Sequence, residues 1–172
     1  TPRQLILDMD ADKVRFPRDW LREAAKRNLL GVRHPKQWGG RGMDWVTASA
    51  VCEEIGSLSY ELACVFGVGA DLVCDAIIRH GTDAQRERYV KPLLAGEIFA
   101  AECLTEPRGG SDFFGATTTA KDCGDHFLLN GQKRFIVGAE GADYFLVYAR
   151  TNPAPKAPPQ NSITCFIVDR GP

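Results

Sequence analysis

The spacing of apolar residues changes once along this chain, near its middle, and that change limits the folds available to it. In the first half apolar residues such as Trp20, Leu21 and Ala24 recur at a spacing that places them on one helix face. In the second half short apolar runs alternate with turn-rich segments, as β-strands do. Helices followed by strands favour two layers or two domains over a wound βαβ sheet. We predict an N-terminal α-helical domain over residues 1–98 and a β-domain over residues 99–172.

Start and stop signals predict four helices in the first half. Each has a residue type that favours a helix end at the expected place. Pro17 and Gly31 bound the first helix, Asp44 caps the second, Ser59 caps the third, and a capping box from Thr82 to Gln85 opens a fourth that Pro92 is expected to close.

Strand-like runs follow in the second half. Asn130-Gly131 lies between two apolar runs, which predicts a tight hairpin turn there. Residues 152–161 contain four prolines and are expected to form an exposed loop. The remaining strand-like runs are residues 99–105, 117–120, 143–150 and 162–169.

Charge and cysteine content exclude several classes of protein. With 21 basic and 22 acidic residues the chain has no strongly basic face, so neither nucleic acid nor a membrane surface is an expected partner. The most apolar run, residues 62–78, is interrupted by Asp71 and Asp75 and is too short to span a bilayer. The six cysteines form no C-x-x-C pair and the three histidines lack ligand spacing. We therefore predict no metal site and a reducing compartment.

The stretch of greatest chemical interest runs from Cys103 to Asp112, CLTEPRGGSD. Gly109 and Gly110 have no Cβ, so the backbone N–H groups there can approach an anion or a ring acceptor. Thr105 and Ser111 add hydroxyl donors. The residues alone leave two interpretations open, a cofactor loop and an ordinary turn that Ser111 and Asp112 cap locally. Neither a P-loop nor a dinucleotide-binding fingerprint is present.

Several ordered segments resemble those of the acyl-CoA dehydrogenases. CLTEPRGGSD resembles the signature of that family, which usually has a small residue where Arg108 stands. The likeness extends along nearly the whole chain, in the family's order, and implies an N-terminal α-helical bundle domain followed by an incomplete, mostly antiparallel, β-barrel-like domain. The other matching segments are residues 35–40, 53–56, 81–97, 129–136 and 142–150.

The resemblance implies that residues 102–111 line an FAD ring. Leu104 and Thr105 would offer backbone and hydroxyl contacts to the pyrimidine side of the flavin. Gly110 and Ser111 would lie near the cofactor phosphates and the acyl-CoA, with Ser111 contacting both. Glu102 is an unusual residue at a flavin edge, where an aromatic or small residue is often found.

A second flavin-flanking segment is implied at Phe135, Ile136 and Val137. Phe135 stands where the family usually has Trp, and Val137 replaces a Thr whose hydroxyl binds the ring. Phe135 can still cover a ring face, whereas Val137 offers only its backbone N–H. This loss of a donor is expected to alter the flavin potential or its reactivity towards oxygen.

The resemblance implies a fragment of an enzyme that dehydrogenates an acyl-CoA thioester and passes a hydride to FAD. The chain starts at Thr1 and stops after a strand-like run, as expected for part of a longer protein. The catalytic Glu of the family comes from a C-terminal helical domain, so no catalytic residue is assigned in this fragment, which alone is expected to be inactive.

The resemblance also implies partners and a location. It implies an acyl-CoA substrate, an electron-transfer flavoprotein acceptor and a homo-oligomer, in the cytoplasm or the mitochondrial matrix. The alternatives are a flavin oxidase or monooxygenase of the same fold and a non-catalytic flavin- or CoA-binding module.

Overall fold

The computed structural model describes residues 1–152, 154 and 157–171, which divide into two compact units. The first unit contains Thr1–Ala101 together with Val137–Asp143. The second contains Glu102–Ile136 and the described residues from Tyr144 onward. The domain boundary near residue 98 stays a prediction. Of the proline-rich loop at residues 152–161, Pro153, Pro155 and Lys156 lie outside the described residues.

Helices make up most of the first unit. They include one that the sequence patterns do not indicate, at the N-terminus. None of the helices that the structure describes is both long and apolar enough to cross a bilayer. The α-helices are α1 (Arg3–Asp10), α2 (Arg18–Lys26), α3 (Trp45–Leu58), α4 (Tyr60–Gly67), α5 (Cys74–His80), α6 (Asp83–Gln85) and α7 (Lys91–Leu94), with a 3₁₀ turn at Lys36–Trp38 and π-helical segments at Val68–Val73 and Arg86–Val90.

The caps predicted for three helices are confirmed. The Asp44 carboxylate accepts a hydrogen bond from the N–H three residues later at 2.8 Å, which begins α3. Ser59 does the same for α4 at 3.3 Å. Thr82 and Gln85 form a reciprocal capping box at the start of α6. Each cap satisfies a backbone donor that has no partner within its helix.

The predicted helix end at Pro92 is wrong. Pro92 lies inside α7, near its start, and the helix continues to Leu94. A proline removes one N–H donor and crowds the carbonyl four residues earlier. The π-helical segment Arg86–Val90 directly precedes α7. A π-helix is wound more widely than an α-helix, and we attribute the continuation of the helix past Pro92 to the space that this winding leaves for the proline ring.

The core of the first unit is built from aliphatic side chains of α4 to α7 and the π-helical segments. Leu62, Val73, Val90 and Leu93 are at most 1% exposed. Burying one such aliphatic side chain contributes about 1.5–3 kcal/mol, so this cluster provides much of the stability of the helical unit.

The strands form one mixed sheet. β2 pairs antiparallel with β3 and β4 pairs antiparallel with β5, while β2 and β4 meet in parallel at a single residue pair. β1 lies beside β4. The helical and β parts of the predicted fold are confirmed, but the described strands do not close into a barrel. The strands are β1 (Ala100–Cys103), β2 (Thr119–Asp122), β3 (Phe127–Asn130), β4 (Tyr144–Arg150) and β5 (Ile163–Asp169).

The hairpin predicted at Asn130-Gly131 is wrong. Asn130 ends β3, and the tight turn lies between β2 and β3, at residues 123–126. Gly131 instead passes close to Thr118, whose Oγ1 would be 2.5 Å from a Cβ at Gly131. The residues after Gly131 are drawn into hydrogen bonds with a distant loop, described below, and these outweigh the local turn preference.

Candidate functional site

The loop that follows β1 folds back on itself directly after the strand. The N–H of Glu106 donates to the carbonyl of Gly109 at 3.1 Å, and the N–H of Gly109 donates to the carbonyl of Glu106 at 3.0 Å. An ion pair between Arg108 and Asp112 closes the next turn. These contacts give the two-glycine loop a defined shape in the second unit.

Glu106 holds this loop through a buried carboxylate. Its side chain is 3% exposed and accepts hydrogen bonds from the N–H and hydroxyl of Thr117, both at 2.7 Å, and from the N–H of Thr118 at 2.9 Å. Burial by itself would raise the pKa of Glu106, but the hydrogen bonds from Thr118 and Thr117 outweigh it and hold that pKa well below its ordinary value. Glu106 is thus ionised at neutral pH and acts as an acceptor that fixes the loop.

Lys133 and Arg134 bring a second segment against the first. The Lys133 ammonium donates to the Leu104 carbonyl at 3.1 Å and lies 3.0 Å from Oε1 of Glu106. The N–H of Arg134 donates to the Thr105 carbonyl at 2.8 Å. Two predicted site segments, far apart in sequence, are therefore adjacent in the fold, and Phe135 follows the contact directly.

Thr105 keeps its donors available. Its carbonyl is bound by Arg134, while neither its N–H nor its hydroxyl has a partner among the described residues. Gly110 packs on the Thr105 side chain, and a Cβ at Gly110 would lie 2.8 Å from Thr105 Oγ1. Gly110 thus leaves space beside a half-buried residue with two free donors.

Ser111 is exposed and does not cap the turn. The carboxylate of Asp112 makes that contact, because its Oδ1 accepts the N–H of Gly115 at 3.1 Å and caps the 3₁₀ turn Phe113–Gly115. The Ser111 hydroxyl has no protein partner within the part of the chain that the structure describes. The local-cap interpretation therefore applies to Asp112 and leaves Ser111 available to a ligand.

Residues 135–137 present backbone donors and an exposed aromatic ring. Phe135 is 75% exposed and adopts a φ of +57°, a conformation that is uncommon for a residue with a side chain. The Arg134 guanidinium lies 4.3 Å from the centre of its ring. The N–H groups of Phe135, Ile136 and Val137 bind no described residue. Val137 belongs to the first compact unit and the other two to the second.

Comparisons with known proteins agree on one family. The model of the acyl-CoA dehydrogenase N-terminal domain matches residues 3–97, and that of the acyl-CoA dehydrogenase middle domain matches residues 101–172. The chain belongs to the acyl-CoA dehydrogenase family. The predicted family membership is confirmed.

Individual relatives of this acyl-CoA dehydrogenase chain are longer than it is. It is 34% identical over 154 residues to the mitochondrial isovaleryl-CoA dehydrogenase of Pongo abelii, covering 90% of this chain and 36% of that protein. It is 36% identical over 164 residues to the caffeyl-CoA reductase–Etf complex subunit CarC of Acetobacterium woodii, covering 95% and 42%. A solved glutaryl-CoA dehydrogenase from Mycobacterium smegmatis in complex with FADH2 superposes with a TM-score of 0.81 at 27% identity, covering 90% and 38%. The chain thus spans about 36–42% of the length of these relatives.

The geometry of this acyl-CoA dehydrogenase chain fits a flavin loop. A flavin ring needs hydrogen-bond donors at its pyrimidine edge and flat cover on its face. The N–H and the hydroxyl of Thr105 have no partner in the described part of the chain, Gly110 leaves room beside them, and Phe135 is an exposed aromatic residue. Among the described residues no group of His, Cys, Asp and Glu could hold a metal ion.

The side chain of Glu102, which lies in β1 just before the loop, is held by a hydrogen bond within the protein. Its carboxylate accepts a hydrogen bond from the Tyr148 hydroxyl at 2.9 Å, and the Tyr148 ring packs edge-on against Phe113. Burial and the neighbouring Glu102 charge raise the pKa of Tyr148, so its hydroxyl remains a donor. A flavin contact by Glu102 stays a prediction.

Sequence reasoning missed the residues that hold the acyl-CoA dehydrogenase loop in place. Lys133 lies in the recognised segment 129–136, but nothing in its local pattern indicates that its ammonium reaches Leu104 and Glu106. The one available signal is its charge, because an ammonium group that becomes buried needs a partner.

Proposed function

We propose that this chain is the N-terminal part of an FAD-dependent enzyme that α,β-dehydrogenates an acyl-CoA thioester. Support comes from the matches to both family domains and from a solved relative described with FADH2. The observation that carries the proposal is Thr105, whose N–H and hydroxyl bind no described residue while its carbonyl is fixed by Arg134. Donors held in this way need no rearrangement to meet a ring acceptor.

Each residue of the site would have a distinct role. Bound FAD would accept the hydride from the β-carbon of the substrate. Leu104 and Thr105 would donate to the pyrimidine side of the ring, where donors stabilise the charge of the reduced state. Phe135 and Ile136 would cover the ring, and Val137 would offer its N–H. Gly110 would leave space for the cofactor phosphates.

The substrate would share part of this loop. Ser111 is exposed and its hydroxyl binds no described residue, so it can donate to the acyl-CoA as well as to the cofactor. The base that removes the α-proton is not assigned within this chain. Glu106, the buried acid of the loop, is ionised and saturated with hydrogen bonds, which suits it to holding the loop and not to proton transfer.

A flavin oxidase or monooxygenase of the same family is the second candidate. It is favoured by Val137, which lacks the hydroxyl that the family's Thr places on the ring. Losing a donor changes how strongly the protein stabilises the reduced flavin. A non-catalytic flavin- or CoA-binding module is the third candidate, and it would bind without reducing the flavin.

Partners follow from the same proposal. We propose an electron-transfer flavoprotein as the acceptor, on the support of the relative named as a subunit of a caffeyl-CoA reductase–Etf complex. We also propose that the whole protein is a homo-oligomer in a reducing compartment, the cytoplasm or the mitochondrial matrix. That compartment suits Cys74, which is fully buried and free.

The test uses the full-length protein that contains this chain. It is purified, loaded with FAD and mixed anaerobically with acyl-CoAs of several chain lengths while the flavin absorbance is followed. Bleaching by an acyl-CoA, with slow reoxidation in air and fast reoxidation by an electron-transfer flavoprotein, is the expected result. Fast reoxidation by oxygen would favour the oxidase, and no bleaching would favour the binding module. A protein that does not bind FAD would refute the dehydrogenase and the oxidase together and would leave only a CoA-binding module.

A further inference from the structure

The segment that follows the flavin-flanking residues belongs to the helical unit. Val137–Asp143 is part of that unit, and it forms a turn in which the N–H of Gly141 donates to the carbonyl of Gly138 at 3.1 Å. Both glycines lie on the ring of Phe16. A Cβ at Gly141 would be 2.0 Å from that ring, so only glycine permits this packing.

Arg18, at the start of α2, holds this turn from the other side. Its guanidinium donates to both carboxylate oxygens of Asp143, at 3.1 and 3.2 Å, and to the carbonyl of Gly141 at 2.6 Å. The carboxylate of Asp143 also accepts the N–H of Phe99 at 2.8 Å, and the N–H of Asp143 donates to the Phe99 carbonyl at 2.7 Å. The turn is thus fixed at two of its residues by side chain and backbone together.

The shape of the arginine side chain matters to this arrangement. The planar guanidinium lies 4.8 Å from the centre of the Phe99 ring while its donors reach three oxygens. A lysine ammonium is a point charge and cannot form the forked contact to a carboxylate while stacking on a ring. The arrangement therefore requires arginine and not merely a positive charge.

Residues 135–137 have few constraints of their own. Their N–H groups bind no described residue, and Phe135 is held at a positive φ. Along the chain they are preceded by the Arg134 hydrogen bond to Thr105 and followed by the turn that Arg18 binds. The backbone of Val137, which belongs to the helical unit, therefore depends on how firmly the turn after it is held.

We propose that Arg18 is a positioning residue for the flavin. By binding Asp143 and Gly141 it fixes the turn after Val137 within the helical unit, and so sets the backbone of Val137, whose N–H would be offered to the ring. Arg18 itself contacts no reacting group. The inference rests on the proposed flavin function, and it adds a determinant outside the two segments to which that function was assigned.

The test compares three variants of the full-length protein. Arg18→Met removes the forked contact, and Arg18→Lys keeps the charge but not the fork. Arg22→Met is the matched control, because Arg22 lies one turn further along α2 and, of the acidic residues that the structure describes, its guanidinium pairs only with the exposed Asp19. Amide hydrogen exchange of residues 138–143 is measured without cofactor. The Kd for FAD and the absorbance spectrum of the bound flavin are measured in the same preparations.

For Arg18→Met we expect faster exchange across residues 138–143, a Kd for FAD raised about tenfold and a shifted flavin spectrum. Arg18→Lys should change all three in the same direction, and Arg22→Met should match the wild type. If Arg18→Met does not fold, the same three measurements on Arg18→Lys, compared with the wild type, test the positioning role. Faster exchange with unchanged FAD affinity and spectrum would overturn the positioning role, as would unchanged exchange. A wild-type protein that binds no FAD would instead refute the proposed function, and the positioning role with it, before any variant is compared.

Discussion

The Lys133 ammonium lies 3.0 Å from the Glu106 carboxylate, and both side chains are nearly inaccessible to solvent, at 10% and 3% exposed. Glu106 also accepts three hydrogen bonds from Thr117 and Thr118, and Lys133 also donates to the Leu104 carbonyl. This pair joins the loop after β1 to the segment before Phe135. The geometry of both segments proposed to flank the flavin therefore depends on a charge pair outside the set of residues expected to bind the ligand.

Replacing Lys133 with Met should destabilise the protein strongly. The change keeps the length of the side chain and removes its charge, so that Glu106 keeps a buried negative charge without its cation. Breaking a buried pair from one side costs about 3–5 kcal/mol. The free energy of unfolding, measured by urea denaturation, should fall by that amount.

Lys91→Met provides the control for this variant. Lys91 pairs with Glu87 on the helix surface, where both side chains are well exposed, and such a pair is worth less than about 1 kcal/mol. Equal losses for the two variants would show that the Lys133–Glu106 pair contributes nothing beyond a surface contact.

The Glu106 carboxylate should also make stability depend on pH. Its pKa is held below the ordinary value in the folded protein, so the ionised form favours folding. The stabilisation is present above the pKa of the unfolded chain, about 4.3, and is lost as the pH falls below it towards the folded pKa. The free energy of unfolding should fall between about pH 5 and pH 3, and the fall should be smaller in Glu106→Gln. Parallel curves for the two proteins would contradict a lowered pKa.

Ser111 and Asp112 should separate ligand binding from stability. Asp112 caps the 3₁₀ turn, so Asp112→Ala should lower the free energy of unfolding by about 0.5–2 kcal/mol. Ser111→Ala should leave stability unchanged and weaken acyl-CoA or FAD binding by about 0.5–1.5 kcal/mol, the value of one neutral hydrogen bond. Thermal denaturation and titration calorimetry measure the two quantities. If Ser111→Ala loses stability but keeps its ligand affinities, Ser111 caps the turn and does not contact a ligand.

The features that sequence could predict are those whose partners lie close along the chain. Asp44, Ser59 and Thr82 each cap a helix through an N–H three residues later, so the cap is visible in a window of four residues. The glycines and hydroxyls of residues 105–111 left a cofactor loop and an ordinary turn both open, whereas the order of the motifs identified the family.

What sequence could not predict depends on distant partners. Lys133 binds a carbonyl 29 residues away and Arg18 a carboxylate 125 residues away. The turn expected at Asn130-Gly131 failed for the same reason, because Lys133 and Arg134 are held by the loop after β1. Local preferences of about 1 kcal/mol do not decide a conformation that several long-range hydrogen bonds oppose.

Val137→Thr should raise the reduction potential of the flavin in the full-length protein. Threonine has nearly the shape of valine and adds one hydroxyl, which the family's pattern places on the ring. A donor there stabilises the negative charge of the reduced flavin. A neutral hydrogen bond of about 0.5–1.5 kcal/mol corresponds to roughly 10–30 mV for a two-electron couple. Potentiometric titration with a reference dye measures the shift, and the rate of reoxidation in air should change with it.

Val46→Thr is the matched control for this change. Val46 is 78% exposed on α3, so a hydroxyl there meets water and should leave the potential at the wild-type value. Val137 is less exposed, at 38%, and follows directly after Phe135 and Ile136. A shift of the reduction potential in Val137→Thr but not in Val46→Thr would place residue 137 beside the ring. It would also indicate that the missing hydroxyl gives this flavin a different reduction potential from that of the family's usual dehydrogenases. If the potential and the reoxidation rate are the same in all three proteins, residue 137 does not face the flavin, and the alignment of residues 135–137 with the family's flavin-flanking segment is wrong by at least one position.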